Sequence, residues 1–172
     1  MDVDRIDADL LQLLQNNARL SNKELAAAVG LAPSTCHERV RRLQAAGALR
    51  GFHADVDPRV LGIGLQALVS VRLGRHSHDI VDSFLEHALS QREVVAVYHV
   101  AGANDFLLHI VVRDPEQLRS LILDAFTTRE EAVHVETALV YEVWRKPSLP
   151  DLRDVPGPST ARGVRSAPGS GR

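Results

Sequence analysis

The chain has 172 residues, 45% hydrophobic and 24% charged, with a formal net charge of −2, an ordinary balance for a globular protein of one or two small domains. The acidic opening "MDVDRIDADL" is unlike a secretory leader, no apolar run is long enough to cross a bilayer, and one cysteine permits no internal disulfide. A cytoplasmic protein is therefore expected. The net charge hides a division: residues 1–59 carry eight basic and eight acidic side chains, 60–144 carry six and twelve, and 145–172 carry six and two. A polyanion would respond to that local distribution rather than to the total.

The first 50 residues predict three helices. In "DRIDADLLQLLQ", Ile6, Leu10, Leu13 and Leu14 recur at helical spacing, with Asp4 at the N-cap and Asp7 and Asp9 suited to the positive end of the helix dipole. "SNKE" is a capping box, Ser21 with Glu24, and opens a short second helix with Leu25, Ala26 and Val29 inward. Gly30 supplies a turn, Pro33 opens a third helix, Cys36, Val40 and Leu43 face inward, and Gly47 ends it. Two short helices about a tight turn, with small Ala26 where they approach, match helix-turn-helix geometry. "ALRGFHADVDP" then reads as a short extended piece, a wing ending at Pro58.

From Leu65 the pattern changes. "LQALVSVRL" alternates as a strand, "HDIVDSFLEHAL" is helical, and "EVVAVYHVAG" and "DFLLHIVVR" are strands about a turn holding Gly102 and Asn104. A helix starts at Asp114-Pro115, and "EAVHVETALVYEVW" reads as a long last strand. The order β-α-β-β-α-β is ferredoxin-like, with both helices on one face of an antiparallel sheet. Strands apolar on both faces, such as Val94 to Val97, imply that the second face meets a partner, hence an oligomer. The expected class is α+β: a helix-turn-helix (winged-helix-like) domain over 1–50, a wing or linker over 51–64, a ferredoxin-like βαββαβ domain over 65–145, and a disordered basic tail over 146–172.

The third helix packs three arginines, Arg39, Arg41 and Arg42, into four positions. With Cys36, Val40 and Leu43 inward, Ser34, Thr35, His37, Glu38, Arg41 and Arg42 fall on the open side. Small hydroxyls in the first turn can enter a major groove, and the longer residues behind can reach base edges or phosphates. Alone, such a run reads as a solvated face: arginines suit the end of a helix, and Glu38 with Arg42 is an i,i+4 pair. As the third helix of a helix-turn-helix it reads as a DNA-contacting element.

The stretch "VDRIDADLLQLLQNNARLSNKELAAAVGLAPSTCHERVRRLQAAGALRGFHADVDPRVLG", followed by the "GANDFLL" hairpin and the β-α-β-β-α-β order, resembles the Lrp/AsnC (feast/famine) transcriptional regulators over roughly residues 2–145. The resemblance implies a dimer that binds double-stranded DNA, often assembled into octamers, and an amino-acid effector held between subunits near the hairpin. Two motifs depart from the family's usual form. Its Ser-Pro-x-Pro-Cys entry to the third helix is here Ala32-Pro33-Ser34-Thr35-Cys36, without the N-cap hydroxyl. Its Gly-Asp-x-Asp-Tyr hairpin is here Gly102-Ala103-Asn104-Asp105-Phe106, without one carboxylate and the phenol.

An amino acid needs a carboxylate for its ammonium and backbone N–H groups for its carboxylate. Asp105 and the turn at Gly102 can offer these, with His99, Ala101 and Asn104 completing the wall. The same residues also read as an ordinary turn, with Asn104 left-handed and Asp105 bonding the backbone. Other temptations carry less. Cys36 and His37, adjacent on a helix, do not face each other, and Cys36 reads as a small buried residue. His99 and His109 lie on paired strands and face each other if the register allows, but no Cys/His spacing fits a zinc site, and no nucleophile or acid/base set suggests an enzyme. Trp144 reads as a packing or interface residue. The expectation is a homo-oligomeric, sequence-specific regulator modulated by an amino acid, with no cofactor and no membrane partner. An architectural, nucleoid-type DNA-binding protein without an effector is the alternative.

Overall fold

The computed structural model describes residues 2–153, which divide into two compact units: residues up to His53 together with the segment from Lys146, and residues Ala54–Arg145. The tail expected from 146 onward lies outside the described residues beyond 153. Residues 146–153 are described, and they pack within the first unit.

The first unit holds α1 (Arg5–Asn16), α2 (Asn22–Ala28) and α3 (Pro33–Ala45). Asp4 caps α1 and Ser21 caps α2, each in a complete capping box. Gly30 takes φ +70° between α2 and α3, a left-handed value that a β-carbon would strain, and the Leu31 N–H returns to the Ala26 carbonyl at 2.9 Å. Leu10, Leu14, Leu25, Ala26 and Cys36 form the core, with Ile6, Leu13, Val29 and Val40 packed around it. The Gln12 amide donates to Ser148 Oγ at 3.0 Å, Gln15 Oε1 accepts from the Leu149 N–H at 2.8 Å, and Arg153 donates to the Val3 carbonyl. Residues 146–153 thus form a strap along α1. The expected wing carries no strand. Residues 51–57 are irregular, and a 3₁₀ turn (Pro58–Leu61) follows, capped by the Asp57 carboxylate.

The second unit contains β1 (Leu65–Leu73), α4 (His78–Ser90), β2 (Val94–His99), β3 (Phe106–Val112), α5 (Pro115–Leu121) running into a π-helical turn (Ile122–Thr127), and β4 (Ala132–Val140). The antiparallel sheet has the order β2-β3-β1-β4, with Val69 opposite Leu108 on one side and Thr137 on the other. One face buries Ala67, Val69, Val71, Phe106, Leu108 and Ile110 against Phe84, Ala88, Leu118 and Phe126 of the helical layer. The Phe84 and Phe106 rings lie 4.8 Å apart at its centre. β4 stops at Val140, short of the expected Trp144. Tyr141 is 95% and Trp144 85% exposed, so neither ring packs within its unit.

The other sheet face has no helix on it within this unit. Val95 and Tyr98 are about half exposed there, and a cleft of about 950 Å³ runs beside Val56, Pro58, Gln66, Val95, His109 and Trp144. Buried His109 shares a 2.8 Å hydrogen bond with Gln66, so its polar ring is satisfied within the apolar surround. Burial, then the charge of Arg145, lowers its pKa below the ordinary 6.5.

Candidate nucleic-acid interface and hairpin site

α3 begins without a side-chain cap, as Ala32 requires, and Pro33 occupies its first turn. Asn22 Nδ2 donates to the Pro33 carbonyl at 2.7 Å, tying α2 to the start of α3. Cys36 and Leu43 are fully buried, and burial raises the Cys36 thiol's pKa, which leaves it unreactive packing material. Ser34, Thr35, His37, Glu38, Arg41 and Arg42 all lie on exposed positions of α3.

Their ion pairs differ from the expected ones. Glu38 pairs with Arg41, not Arg42: Oε2 accepts from Nε at 3.1 Å and Oε1 from Nη2 at 2.9 Å. Both side chains are more than 60% exposed, so the pair is weak and easily opened. Arg42 turns instead toward α1, where its Nη2 lies 2.5 Å from Asp7 Oδ2. Arg39, absent from the expected set, donates to Asp7 Oδ1 at 2.9 Å and to Asp4 Oδ2 at 2.7 Å. Asp7 has no exposed surface. Asp4, held by the Asp7 N–H and then by Arg39, keeps its pKa below the ordinary carboxylate value. One signal for this cluster was present in the sequence. Asp7 stands three residues before Leu10 and seven before Leu14, in phase with the buried stripe, and a carboxylate there requires a cationic partner.

The hairpin between β2 and β3 brings the other candidates together. Ala101 and Gly102 are exposed, and Asn104 and Asp105 are partly buried. Gly102 takes φ +143° with open space where a β-carbon would stand, so the backbone conformation, not crowding, favours glycine. Asn104 is not left-handed: among the described residues only glycines have positive φ. The Asp105 carboxylate is already engaged. Oδ2 accepts from the Leu73 N–H and Oδ1 lies against His76 Nε2, both at 2.7 Å. Burial raises the Asp105 pKa, but those two partners outweigh it, and the net displacement is downward. His76 belongs to the hairpin site although the sequence places it in a loop 29 residues away. His99 stacks on Phe106 with centroids 4.8 Å apart, while His109 sits opposite Ala96, so the two histidines do not meet. Among the described residues no group of three His, Cys, Asp or Glu could hold a metal ion, and no helix is long and apolar enough to cross a membrane.

Residues 3–44 match the model of the AsnC-type helix-turn-helix domain, and residues 66–149 match that of the Lrp/AsnC ligand binding domain. The chain is 43% identical over 141 residues to the HTH-type transcriptional regulator AldR of Mycolicibacterium smegmatis, covering 82% of either chain. The chain belongs to the Lrp/AsnC family of transcriptional regulators. The crystal structure of AldR from Mycobacterium tuberculosis superposes with TM-score 0.72 at 38% identity, covering 86% of this chain and 97% of that one. A transcriptional regulator from Neisseria meningitidis, solved as a complex with L-Met, gives TM-score 0.80 at 30% identity, with 88% and 98% covered. As an Lrp/AsnC protein the chain is a DNA-binding regulator, not an enzyme.

Proposed function

We propose that this Lrp/AsnC protein is a sequence-specific regulator. On this reading α3 enters the major groove, with Ser34, Thr35 and His37 toward base edges and Arg41 toward phosphate or guanine. The observation that carries it is the exposed stripe of α3, presented by a helix whose opposite side is fixed by packing and ion pairs. Arg41 needs only to leave an exposed partner, Glu38, to reach a polyanion. Copies of the chain associate through the open sheet face, where Val95 and Tyr98 are exposed. An amino acid binds between subunits at the 99–105 hairpin. The match to a ligand-binding domain and the L-Met complex of a relative support that choice. Regulation is then linkage: an effector that prefers one assembly shifts the spacing of the DNA-reading helices.

DNA binding measured with and without each amino acid, alongside the mass in solution, tests this reading. Protection of a bound duplex should change when an effector is added at millimolar concentration, and the same amino acid should raise the melting temperature. A second reading, an architectural DNA-binding protein without an effector, is favoured by one observation: both oxygens of Asp105 already have partners within the chain. No response to any amino acid, with DNA binding intact, would select it.

A further inference from the structure

Asp7 does two jobs at once. Its Oδ2 accepts from the Asp4 N–H at 3.4 Å, completing the capping box that starts α1. The same carboxylate holds Arg39 and Arg42, three residues apart on α3, one on each oxygen. Asp4 adds a second contact to Arg39. Asp4 at the N-cap, Asp7 in the first turn of α1 and two arginines of α3 thus form a grid whose central carboxylate is inaccessible to water. A guanidinium offers a rigid planar fork, so the grid fixes the angle of α3 as well as its distance from α1.

Base readout depends on that angle, because hydrogen bonds to base edges tolerate little misalignment. Phosphate contacts are far more forgiving. For Arg42 to turn its whole guanidinium fork to a phosphate it would have to take Nη2 from a wholly buried carboxylate, leaving that carboxylate with one cation fewer, an arrangement that costs heavily in a low-dielectric site. Arg41, by contrast, sits on an exposed pair.

We propose that Asp7 is the positioning residue of the recognition helix: through Arg39 and Arg42 it sets the angle at which α3 meets DNA, and Arg42 serves this lock instead of contacting the nucleic acid. This rests on α3 being the DNA-reading helix, as proposed above.

The test uses the full chain and two duplexes of equal length: one enriched by the wild-type protein from a random pool, the other scrambled. Asp7→Asn should lower affinity for the enriched duplex about tenfold, while affinity for the scrambled duplex stays the same or rises, because a negative charge has gone. A role in stability alone would leave the ratio of the two affinities unchanged once the folded fraction is matched. Arg42→Gln should weaken the enriched complex without changing the salt slope, and the double variant should lose no more than the worse single one. An unchanged affinity ratio in Asp7→Asn overturns the proposal, as does a fall of about one unit in the salt slope of Arg42→Gln, the mark of a lost phosphate contact. If Asp7→Asn fails to fold, the Arg42→Gln slope decides alone, since Asp7 then keeps Arg39. A wild-type chain that enriches no duplex would instead overturn the DNA-reading role of α3, a failure distinct from these.

Discussion

Asp7 and Asp105 are both aspartates with both carboxylate oxygens occupied, one in the helical unit and one in the sheet unit, and their partners differ in kind. Asp7 is wholly buried and held by two guanidinium groups of a neighbouring helix. Asp105 keeps 16% of its side chain accessible and is held by one backbone N–H and one imidazole that is 59% accessible. The first arrangement joins two permanent cations to one anion and has no ready alternative state. The second can lose a partner to solvent, to a proton or to a competing ammonium group without dismantling a core. A lock and a latch are made from the same side chain, and the difference lies in how easily each partner can leave.

The largest expected effect breaks the lock. Asp7→Ala should destabilise the helical unit by about 2–3 kcal/mol, less than for a fully buried pair because the orphaned arginines can turn to water. Hydrogen exchange of α1 and α3 would localise the loss, and unchanged protection would remove the contrast with Asp105. Next comes Asp105→Ala, which leaves the Leu73 N–H without its acceptor and should cost about 1–2 kcal/mol, read as a lower melting temperature of the sheet unit. An intact amino-acid response in this variant would exclude Asp105 from the effector site. His76→Ala removes only an exposed partner, so a cost under about 1 kcal/mol is expected. If the carboxylate binds an effector ammonium, that variant should bind it more tightly, since a competitor is gone.

Acidification gives the smallest and most diagnostic effect. His109 has a lowered folded pKa, so its contribution to stability is complete above the ordinary 6.5 and declines as pH falls from there through the lowered value. Asp105 is also lowered, from 3.8, so its contribution persists above that pH and disappears only as pH falls through its folded value. Melting temperature between pH 7.5 and 5 should therefore fall through His109 and not through Asp105, and His109→Gln should flatten that fall.

Much of the fold was legible because it depends on local chemistry. Capping boxes at Asp4 and Ser21, the left-handed turn at Gly30, Pro33 at a helix start and the alternation from Leu65 to Leu73 each declare an element within a few residues. The stretch "ALRGFHADVDP", expected as an extended wing or linker, has no partner strand in the structure and is irregular over residues 51–57. Tyr141, Val143 and Trp144 have the side chains of strand residues and extend the expected β4 to Trp144, yet the chain leaves the ladder after Val140. The stripe on α3 was legible from the positions of Cys36, Val40 and Leu43. The direction of Arg42 was not, because an i,i+4 pair with Glu38 and a bond to Asp7, 35 residues away, are equally compatible with its spacing. The same holds for His76, whose partnership with Asp105 exists only once β1 and β3 are paired in register.

The strap of residues 146–153 means that the helical unit is assembled from two pieces of chain with the whole sheet unit inserted between them. During synthesis the ribosome completes every strand of that sheet before it releases the residues that bond Gln12, Gln15 and Val3. The helical unit must therefore wait, unfinished along one side of its first helix, and its final closure is a contact of very high sequence separation, the kind that slows folding most.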